Sequence, residues 1–579
     1  MPSIRADRAG RLPAFMLYEF EKHAHTYTQT LPGQYVVLTR SPANVETVCK
    51  ARFKDYEIGE DRAGNFRPLI GHGILALDGQ EWVKARSMLR SVASFPITWY
   101  PIAAPVVGVG IHPRQKATRK PARHNLLVSF LRNDVPTFHI ADLFDSPMPL
   151  GADRSHRRLP TPHAESTLTT EKPVVYCRNA DRDFTQLEFF VQQFLQRLTE
   201  AGHNGAPIEI SKLLLNLSSD FATKAIFGRS TDSLAYDGRS SSDNPENGSV
   251  SEFSEAANHA IHMLGRRGLM INLYWLIDSR RFRRSCRICK DFVSRYLTEA
   301  RLSTSEKSSE LEPEGGESAS FMASLLAKDN ASAEVLRDQL LALLLASRDT
   351  SASFAAWVIY ALARDQRVTS KLRDSIKSRL PGDRLPTVAD VAALPYLRHV
   401  LNETLRHFPV VPLDGRTAKT DTVLPEGGGT DGKSPLLVPA GAKVAFNIYA
   451  LHHRRDIFGE DAGSFRPERW EEPDAGPMGD FEGAFVPFII GPRVCLGKNM
   501  AMMTVSYMII RILQHFESIE PVNAPASRDP GRNPNRWPSE RTRYNMQDGE
   551  TTFKIGVTMS ARDGVWVNLH PVTLGKEKS

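Results

Sequence analysis

The chain reads Phe488-Ile489-Ile490-Gly491-Pro492-Arg493-Val494-Cys495-Leu496-Gly497 near its end, which places one cysteine in a turn rich in glycine. The apolar residues that follow predict a helix over about 498–516. Such a helix points its positive N-terminal end at the Cys495 sulfur and favours the thiolate over the thiol. Gly491 and Gly497 leave room for exposed backbone N–H groups and for a flat ring. The loop therefore predicts a thiolate that binds a metal ion. The alternative is a buried structural cysteine.

The spacing Phe-x-x-Gly-x-Arg-x-Cys-x-Gly resembles the haem-ligand signature of the cytochrome P-450 family. The resemblance implies that the Cys495 thiolate ligates the iron of haem, iron-protoporphyrin IX. It also implies that Phe488, Gly491, Arg493 and Gly497 lie against the haem, where Arg493 can reach a carboxylate past the edge of the ring. One pair departs from the pattern. Ile489-Ile490 stands where relatives place a small or polar pair, and two β-branched residues stiffen the loop.

A second motif, Trp82-x-x-x-Arg86, lies in a predicted helix that follows the glycine-punctuated loop 66–79. Residues four apart share a helix face, so an indole N–H and a guanidinium can together hold a carboxylate. The motif is similar to an early helix of the same family, which implies that both residues bind haem propionates. The alternative is an amphipathic surface helix with a packed tryptophan. Arg416 matches a further propionate-binding position.

The longest buried candidate helix runs from about Ala333 to Asp365 and is apolar on nearly all sides. The polar residues Arg348-Asp349-Thr350 interrupt this apolar helix. Burying charged side chains costs free energy unless they are paired or have a function. In the family, the central helix crosses the oxygen-binding face of the haem with an acid–alcohol pair that relays protons. Asp349 and Thr350 match that pair, while Ser347 stands where glycine is common. The alternative is a polar turn at the surface end of a helix.

Three further residues match a buried network of the family that fixes the fold behind the cysteine loop. They are Glu403, Arg406 and Arg469, and their implied role is structural. Two other groups suggest metal ligands at first sight. We interpret Cys286-x-x-Cys289 as structural, since a helix with no second ligand pair is a poor zinc site. Adjacent histidines diverge in a helix, so His452 and His453 are predicted to be ordinary packing residues.

Composition excludes several classes of protein. The 579 residues are 41% hydrophobic, and their formal net charge of +7 is modest and spread along the chain, so no nucleic-acid partner is predicted. An acidic partner protein or an anionic membrane surface suits that charge. Five scattered cysteines favour a reducing compartment. No apolar run approaches the ~20 residues of a membrane-spanning helix, so we expect neither a signal peptide nor an anchor in this chain.

The predicted fold is mainly α with a small β subdomain, the cytochrome P-450 fold with a helical core around a buried haem. Residues 1–93 form the N-terminal part of that domain and 182–579 the remainder. Between them, residues 94–181 look like an atypical insertion, either disordered or translated from an unspliced segment, since proline is frequent there and periodicity is weak. A hairpin with a Pro-Ala-Gly turn is expected over 436–444, and strands over 552–571 with a turn at 559–564.

The resemblance implies a haem-thiolate monooxygenase that uses O2 and takes electrons from NADPH through NADPH–cytochrome P-450 reductase. Segments such as 346–351 and 465–470 look like those of fungal alkane and fatty-acid hydroxylases, which implies a small apolar substrate with a long aliphatic chain. The same resemblance implies the endoplasmic reticulum membrane, although this chain shows no transmembrane anchor. One alternative is a tailoring hydroxylase of a lipid-like secondary metabolite. Another is a haem-binding protein without oxygenase activity, or a non-functional gene product.

Overall fold

The computed structural model describes residues 12–31, 33–90, 177–235, 245–306, 320–328, 331–471, 483–523 and 552–572. Helices dominate these ranges, as the sequence predicts. They are α1 (Leu12–His23), α2 (Pro42–Glu46), α3 (Glu60–Ile70), α4 (Gly79–Arg90), α5 (Cys177–Ala201), α6 (Ile210–Phe227), α7 (Pro245–Gly268), α8 (Arg280–Glu306), α9 (Phe321–Lys328), α10 (Ala333–Arg364), α11 (Gln366–Arg379), α12 (Val388–Ala392), α13 (Pro395–His407), α14 (Ile448–His452), α15 (Arg455–Phe458) and α16 (Lys498–His515).

The strands are short and form small sheets beside the helices. They are β1 (Thr26–Leu31), β2 (Gln34–Thr39), β3 (Tyr56–Glu57), β4 (Ile208–Glu209), β5 (Leu413–Ala418), β6 (Thr422–Gly428), β7 (Ser434–Val438), β8 (Lys443–Asn447), β9 (Phe516–Val522), β10 (Phe553–Ile555), β11 (Met559–Ala561) and β12 (Trp566–Pro571). The largest sheet has the order β1-β2-β8-β5-β3, in which only the β2–β8 pair is parallel. A second sheet has the order β4-β12-β9, and β6–β7 and β10–β11 are separate antiparallel pairs. The predicted fold class, mainly α with a small β portion, is confirmed.

Helix α10 lies at the centre of the helical layer and packs against α6, α8 and α16. Most of its apolar residues are buried, including Leu340, Phe354 and Trp357. Ser332 caps its first turn by accepting the N–H of Val335. The predicted helices over 333–365 and 498–516 are therefore confirmed to within one residue.

The hairpin predicted over 436–444 is wrong. Strand β7 pairs with β6, whereas β8 pairs with β2 and β5 in another sheet. The Pro-Ala-Gly turn is present, but it carries the chain from one sheet to the next. The physical reason is burial, because Val444 and Phe446 of β8 are fully buried in the larger sheet while β7 is largely exposed.

The turn predicted at 559–564 is confirmed only in its second half. Residues 559–561 form β11, and the N–H of Gly564 then bonds the carbonyl of Ala561. Because β11 must pair with β10, the turn begins three residues later than the composition suggested.

The predicted insertion, 94–181, lies outside the described residues except for 177–181, the first residues of α5. Its assignment stays a prediction. In the described part of the chain, no helix is long and apolar enough to cross a membrane.

Candidate functional site

The cysteine loop, residues 488–497, folds back on itself immediately before α16. The N–H of Cys495 donates to the carbonyl of Phe488 at 3.0 Å, and Val494 donates to Gly491 at the same distance. Gly491 has φ +76°, and a Cβ there would collide with the backbone carbonyl of Cys49. Glycine at 491 is thus required for a steric reason that the sequence motif alone does not reveal.

The Cys495 sulfur lies near groups that stabilise a thiolate, although the pKa of its thiol is raised overall. Burial raises the pKa of the thiol, but backbone N–H groups of Gly497 and Lys498 and the charges of Arg86 and Lys498 act against that rise. Those N–H groups lie at the start of α16, as the sequence predicts. Cys495 is nevertheless an exposed residue. The residue is therefore accessible to a metal.

One residue of the loop is strained. Ile489 has φ +60°, in the left-handed region that β-branched residues avoid. Such a conformation costs about 1–2 kcal/mol for a residue with a Cβ. The side chain packs against the main core cluster, which offsets part of that cost. The stiffening expected from Ile489-Ile490 therefore takes the form of backbone strain at the first of the two residues.

The motif residues Trp82 and Arg86 meet the cysteine loop. Trp82 is buried, and the Arg493 guanidinium lies 4.4 Å from the centre of its ring. Arg86 lies 5.6 Å from the same ring and donates to the carbonyl of Val494 at 2.8 Å. Nε of Arg493 is buried and has no hydrogen-bond partner among the described residues. The helix is amphipathic and its tryptophan is packed, as in the alternative interpretation, but that tryptophan also lies under a cation from the cysteine loop.

Positive charge exceeds negative charge beside this tryptophan. Arg416 is buried and donates to Asp414 at 3.0 Å, and Asp414 also accepts from Arg62. Arg493 donates to the carboxylate of Asp78. Three guanidinium groups therefore face two carboxylates, and burial lowers the pKa of Arg493 to about 10 despite Asp78. An additional acidic group bound here would restore the balance.

Sequence reasoning missed Arg62, Asp78 and Asp414 as members of this charged group. The position of Asp414 in the sequence could have indicated its membership. Asp414 and Arg416 are two residues apart, and residues at that spacing point to the same face of a strand. The other two are brought in by α3 and by the turn before α4, from distant parts of the chain.

Helix α10 presents a partly open stripe in an otherwise buried surface. Its residues are Leu343, Ala346, Ser347 and Thr350, spaced as one helix face. The Thr350 hydroxyl donates to the carbonyl of Ala346 at 2.5 Å, and Ser347 donates to Leu343 at 2.9 Å. These hydroxyls sit in the middle of a 32-residue helix. The alternative of a polar turn at a helix end is therefore wrong.

Arg348 is the buried charge that the sequence marked as costly, and the structure shows its partners. It donates to Asp349 at 3.0 Å, to Ser219 of α6 at 2.7 Å and to Asn258 of α7 at 2.9 Å. Burial raises the pKa of Asp349, although Arg348 and Lys554 act in the opposite direction. Asp349 is thereby held as a carboxyl group that protonates more readily than an exposed aspartate.

A small apolar cluster joins the three parts of the site. Its buried members are Ile74, Leu77, Trp82, Ala85 and Leu89, and two of the partly buried leucines that pack against it come from other parts of the site. One is Leu343 of the α10 stripe and the other is Leu496 of the cysteine loop. The open stripe of α10, the tryptophan helix α4 and the cysteine loop therefore meet at one cluster.

The network predicted behind the cysteine loop is confirmed. Glu403 accepts from Arg406 at 2.8 and 3.0 Å, from Arg469 at 3.0 Å and from Trp470 at 3.0 Å. Glu403 and Arg406 are fully buried. Burial alone would raise the pKa of Glu403, but the charges and hydrogen bonds of the two arginines prevail and lower it to about 2.

The other candidate ligands take part in packing. His452 accepts the N–H of Val486 at 3.0 Å, and His453 bonds the carbonyl of Tyr449. Cys286 and Cys289 are buried in α8, and burial raises the pKa of both thiols to about 12. Both cysteines are therefore neutral thiols at physiological pH.

The residues present fit a flat, thiolate-bound group that carries carboxylates. The Cys495 sulfur has an open side and backbone donors, Nε of Arg493 lacks a partner, and the charge next to Trp82 is unbalanced. Each of these observations is a feature of the protein alone. Together they match what haem with its two propionates needs.

Comparison with known proteins agrees with this arrangement. The Cytochrome P450 family profile matches residues 186–535. The chain is 31% identical over 535 residues to Cytochrome P450 monooxygenase g430 of a Fusarium species, covering 90% of this chain and 77% of the relative. It is 30% identical over 536 residues to Cytochrome P450 monooxygenase alt2 of Alternaria solani (91% and 84%). It is 31% identical over 507 residues to Cytochrome P450 52A5 of Candida maltosa (86% and 78%).

Proposed function

The chain belongs to the cytochrome P450 family of haem-thiolate monooxygenases, and from this premise we propose that it hydroxylates a C–H bond of a long-chain aliphatic substrate. The substrate is an n-alkane or a fatty acid. O2 supplies the oxygen atom, and NADPH supplies electrons through NADPH–cytochrome P-450 reductase. One observation carries the proposal: Leu496 of the cysteine loop and Leu343 of the half-open stripe of α10 pack against the same apolar cluster.

The residues around the sulfur would hold the haem, which supplies the iron that activates O2. Backbone N–H groups of Gly497 and Lys498 stabilise the Cys495 thiolate. Gly491 lets the loop pass Cys49, and the carbonyl of Phe488 fixes the Cys495 backbone.

The carboxylates of the haem would be held by the cationic group beside Trp82. Arg493 offers its unpartnered Nε, and Arg86 and Arg416 contribute charge from α4 and β5. With Arg86, the group carries four guanidinium charges against the carboxylates of Asp78 and Asp414, so two bound carboxylates would neutralise the remainder.

Asp349 and Thr350 would move protons. The raised pKa of Asp349 brings this carboxyl group closer to neutral pH, where it can both take up and release a proton. The Thr350 hydroxyl donates to Ala346 and keeps its lone pairs free to accept a hydrogen bond. Both residues occupy the middle of α10, at or beside the open stripe.

The apolar side chains of the stripe, Leu343 and Ala346, support an aliphatic substrate. The resemblance of segments 346–351 and 465–470 to fungal alkane and fatty-acid hydroxylases points the same way. The test is product analysis after incubation with dodecanoic acid, O2, NADPH and reductase. Hydroxydodecanoic acid is expected, and its absence would favour a tailoring hydroxylase of a lipid-like secondary metabolite.

The site itself is tested by the carbon-monoxide difference spectrum of the reduced protein. The wild type is expected to show the band of thiolate-ligated haem, and Cys495→Ser is expected to lose it. Absence of the band from the wild type would mean that this polypeptide does not assemble the site.

An acidic electron donor would dock near the cysteine loop. Lys84 and Arg90 are exposed on α4, and Lys50 is exposed next to Gly491. These cations suit a negatively charged reductase surface. Lower reduction rates for Lys84→Glu at low salt would support this surface, whereas unchanged rates would argue against it.

An exposed apolar segment supports association with a membrane. The family resemblance implies that this membrane is the endoplasmic reticulum. The short 3₁₀ segment Ile271–Leu276 exposes Trp275 and Leu276 by 59% and 57%. Asn272 ties it to the β1–β2 turn through the carbonyl of Gly33 at 3.0 Å. Flotation with anionic lipid vesicles tests it, and Trp275→Glu should reduce the bound fraction.

A further inference from the structure

The start of α10 holds the loop 71–78, which connects α3 to α4, through two buried polar side chains. Asp338 accepts the N–H of His72 at 2.8 Å. Gln339 accepts the N–H of Ile74 at 2.8 Å, and its amide donates to the carbonyl of His72 at 2.7 Å. Both residues are 1% exposed, so breaking these bonds would leave buried polar groups without partners.

Two glycines of the loop make this close approach possible. Gly71 has φ +53°, and a Cβ there would collide with the carboxylate of Asp338. A Cβ on Gly73 would lie 2.8 Å from the backbone carbonyl oxygen of Asp338 and 2.7 Å from the Cβ of Ala342. The loop therefore lies directly against α10.

The other end of the loop contacts the cationic group beside Trp82. The carbonyl of Leu77 accepts from Nη2 of Arg493 at 3.0 Å, and the carboxylate of Asp78 accepts from the same nitrogen. Between the two ends, Ile74 and Leu77 are buried in the apolar cluster that contains Trp82. The loop therefore links the start of α10 to the arginine of the cysteine loop.

The orientation of Arg493 depends on this end of the loop. Its Nη2 donates to Leu77 and Asp78, whereas its buried Nε has no hydrogen-bond partner among the described residues. A guanidinium group is planar and its N–H groups have a fixed arrangement, so the direction of Nη2 also sets the direction of Nε. A displacement of Leu77 and Asp78 would therefore turn the unpartnered N–H.

We propose that Gln339 is a positioning residue for the haem site, which orients Arg493 toward a haem carboxylate by holding the loop 71–78 against α10. Gln339 lies on the same helix face as Leu343 and Thr350 of the open stripe. One helix face thus carries the proton-transfer hydroxyl and the side chain that fixes the loop. This inference rests on the proposed function, because it requires that Arg493 binds a haem carboxylate.

The test measures the rate at which haem leaves the protein, followed by its transfer to an excess of apomyoglobin. Gln339→Met keeps the length of the side chain and removes both of its hydrogen bonds, to Ile74 and to His72. We expect haem to leave about tenfold faster or more, because a misdirected Arg493 loses its charge-assisted hydrogen bond to the carboxylate.

Asn44→Leu is the matched control. Asn44 is also a fully buried amide, and it ties α2 to β6 by accepting the N–H of Glu426 at 3.2 Å and donating to its carbonyl at 3.0 Å. Its loss should lower the thermal midpoint, as Gln339→Met does. Because independent sites do not affect one another, haem release from Asn44→Leu should stay within about twofold of the wild type.

A double-mutant cycle tests whether Gln339 acts through Arg493. Asp78→Asn removes the carboxylate that holds Arg493, and this variant should also release haem faster. If both residues act through the same guanidinium, the double variant should release haem little faster than the more affected single variant. Asn44→Leu combined with Asp78→Asn should instead multiply the two separate effects.

The outcomes separate this inference from the proposed function. Unchanged haem release from Gln339→Met, equal acceleration in Asn44→Leu, or multiplied effects with Asp78→Asn would overturn the positioning role, even if the wild type hydroxylates aliphatic chains. A selective and non-additive acceleration supports the role even if no hydroxylated product forms. Gln339→Asn, whose amide is one methylene short of its partners, is judged by the same criteria if Gln339→Met takes up no haem.

Discussion

Replacing Glu403 by alanine should destabilise the protein severely. The carboxylate is fully buried and accepts from two guanidinium groups, from the Trp470 indole and from the backbone N–H of Arg466. Without it, Arg406 keeps its charge in a buried site with no carboxylate partner among the described residues, and Arg469 keeps only Asp461, at 3.3 Å. Removing one partner of a buried ion pair costs about 3–5 kcal/mol, because the remaining charge is uncompensated.

The pKa of Glu403 gives an independent check of that magnitude. A folded-state pKa of about 2 against the usual 4.5 corresponds to about 3 kcal/mol of stabilisation when the carboxylate is ionised. Since the pKa is depressed, this contribution is fully present above pH 4.5. It is lost as the pH falls from about 4.5 toward 2.

The assay is urea unfolding at pH 7 and pH 5, followed by tryptophan fluorescence, with haem content read from absorbance. Glu403→Ala is expected to lower the free energy of unfolding by several kcal/mol at both pH values and to abolish haem incorporation. The matched control is Glu252→Ala, also on a helix, whose carboxylate pairs with Arg284 at 3.4 Å in an exposed position. That pair should contribute at most about 0.5 kcal/mol.

Two outcomes would refute the reasoning. One is a folded, haem-loaded Glu403→Ala protein with wild-type resistance to urea. The other is a loss of stability as small as that of Glu252→Ala, which would mean that water replaces the carboxylate around the two arginines.

Two other substitutions test the site. Gly491→Ala should prevent normal folding of the cysteine loop, because φ is +76° and the new Cβ would strike the Cys49 carbonyl. The control is Gly463→Ala, which should be tolerated because a Cβ there meets nothing within 4 Å. Equal thermal midpoints for the two variants would contradict the steric account. Asp349→Asn should slow turnover roughly tenfold or more while substrate binding persists, since a proton donor is lost. The measurement is product and hydrogen peroxide formed per NADPH, and unchanged coupling would remove Asp349 from proton transfer.

The helices were predictable because their signals are local. Their apolar residues placed α10 and α16 within a residue of their observed ends. Strand pairing was harder, as the wrong 436–444 hairpin shows. The turn residues were identified correctly, but β8 pairs with β2 and β5 instead of β7. Strand β2 lies far earlier in the chain, and β5 is separated from β8 by the β6–β7 hairpin.

The cysteine loop shows the same division. The sequence by itself determined that Cys495 precedes a helix and that glycine is needed nearby, because these depend on neighbouring residues. Only the tertiary structure decided that Gly491 is forced by the Cys49 carbonyl and that strain falls on Ile489. Likewise, Asp414, Asp78 and the partners of Arg348 come from distant segments. Ion pairs form between residues that are close in space but distant in sequence. The sequence alone therefore does not determine which cationic groups lack a partner in the folded protein.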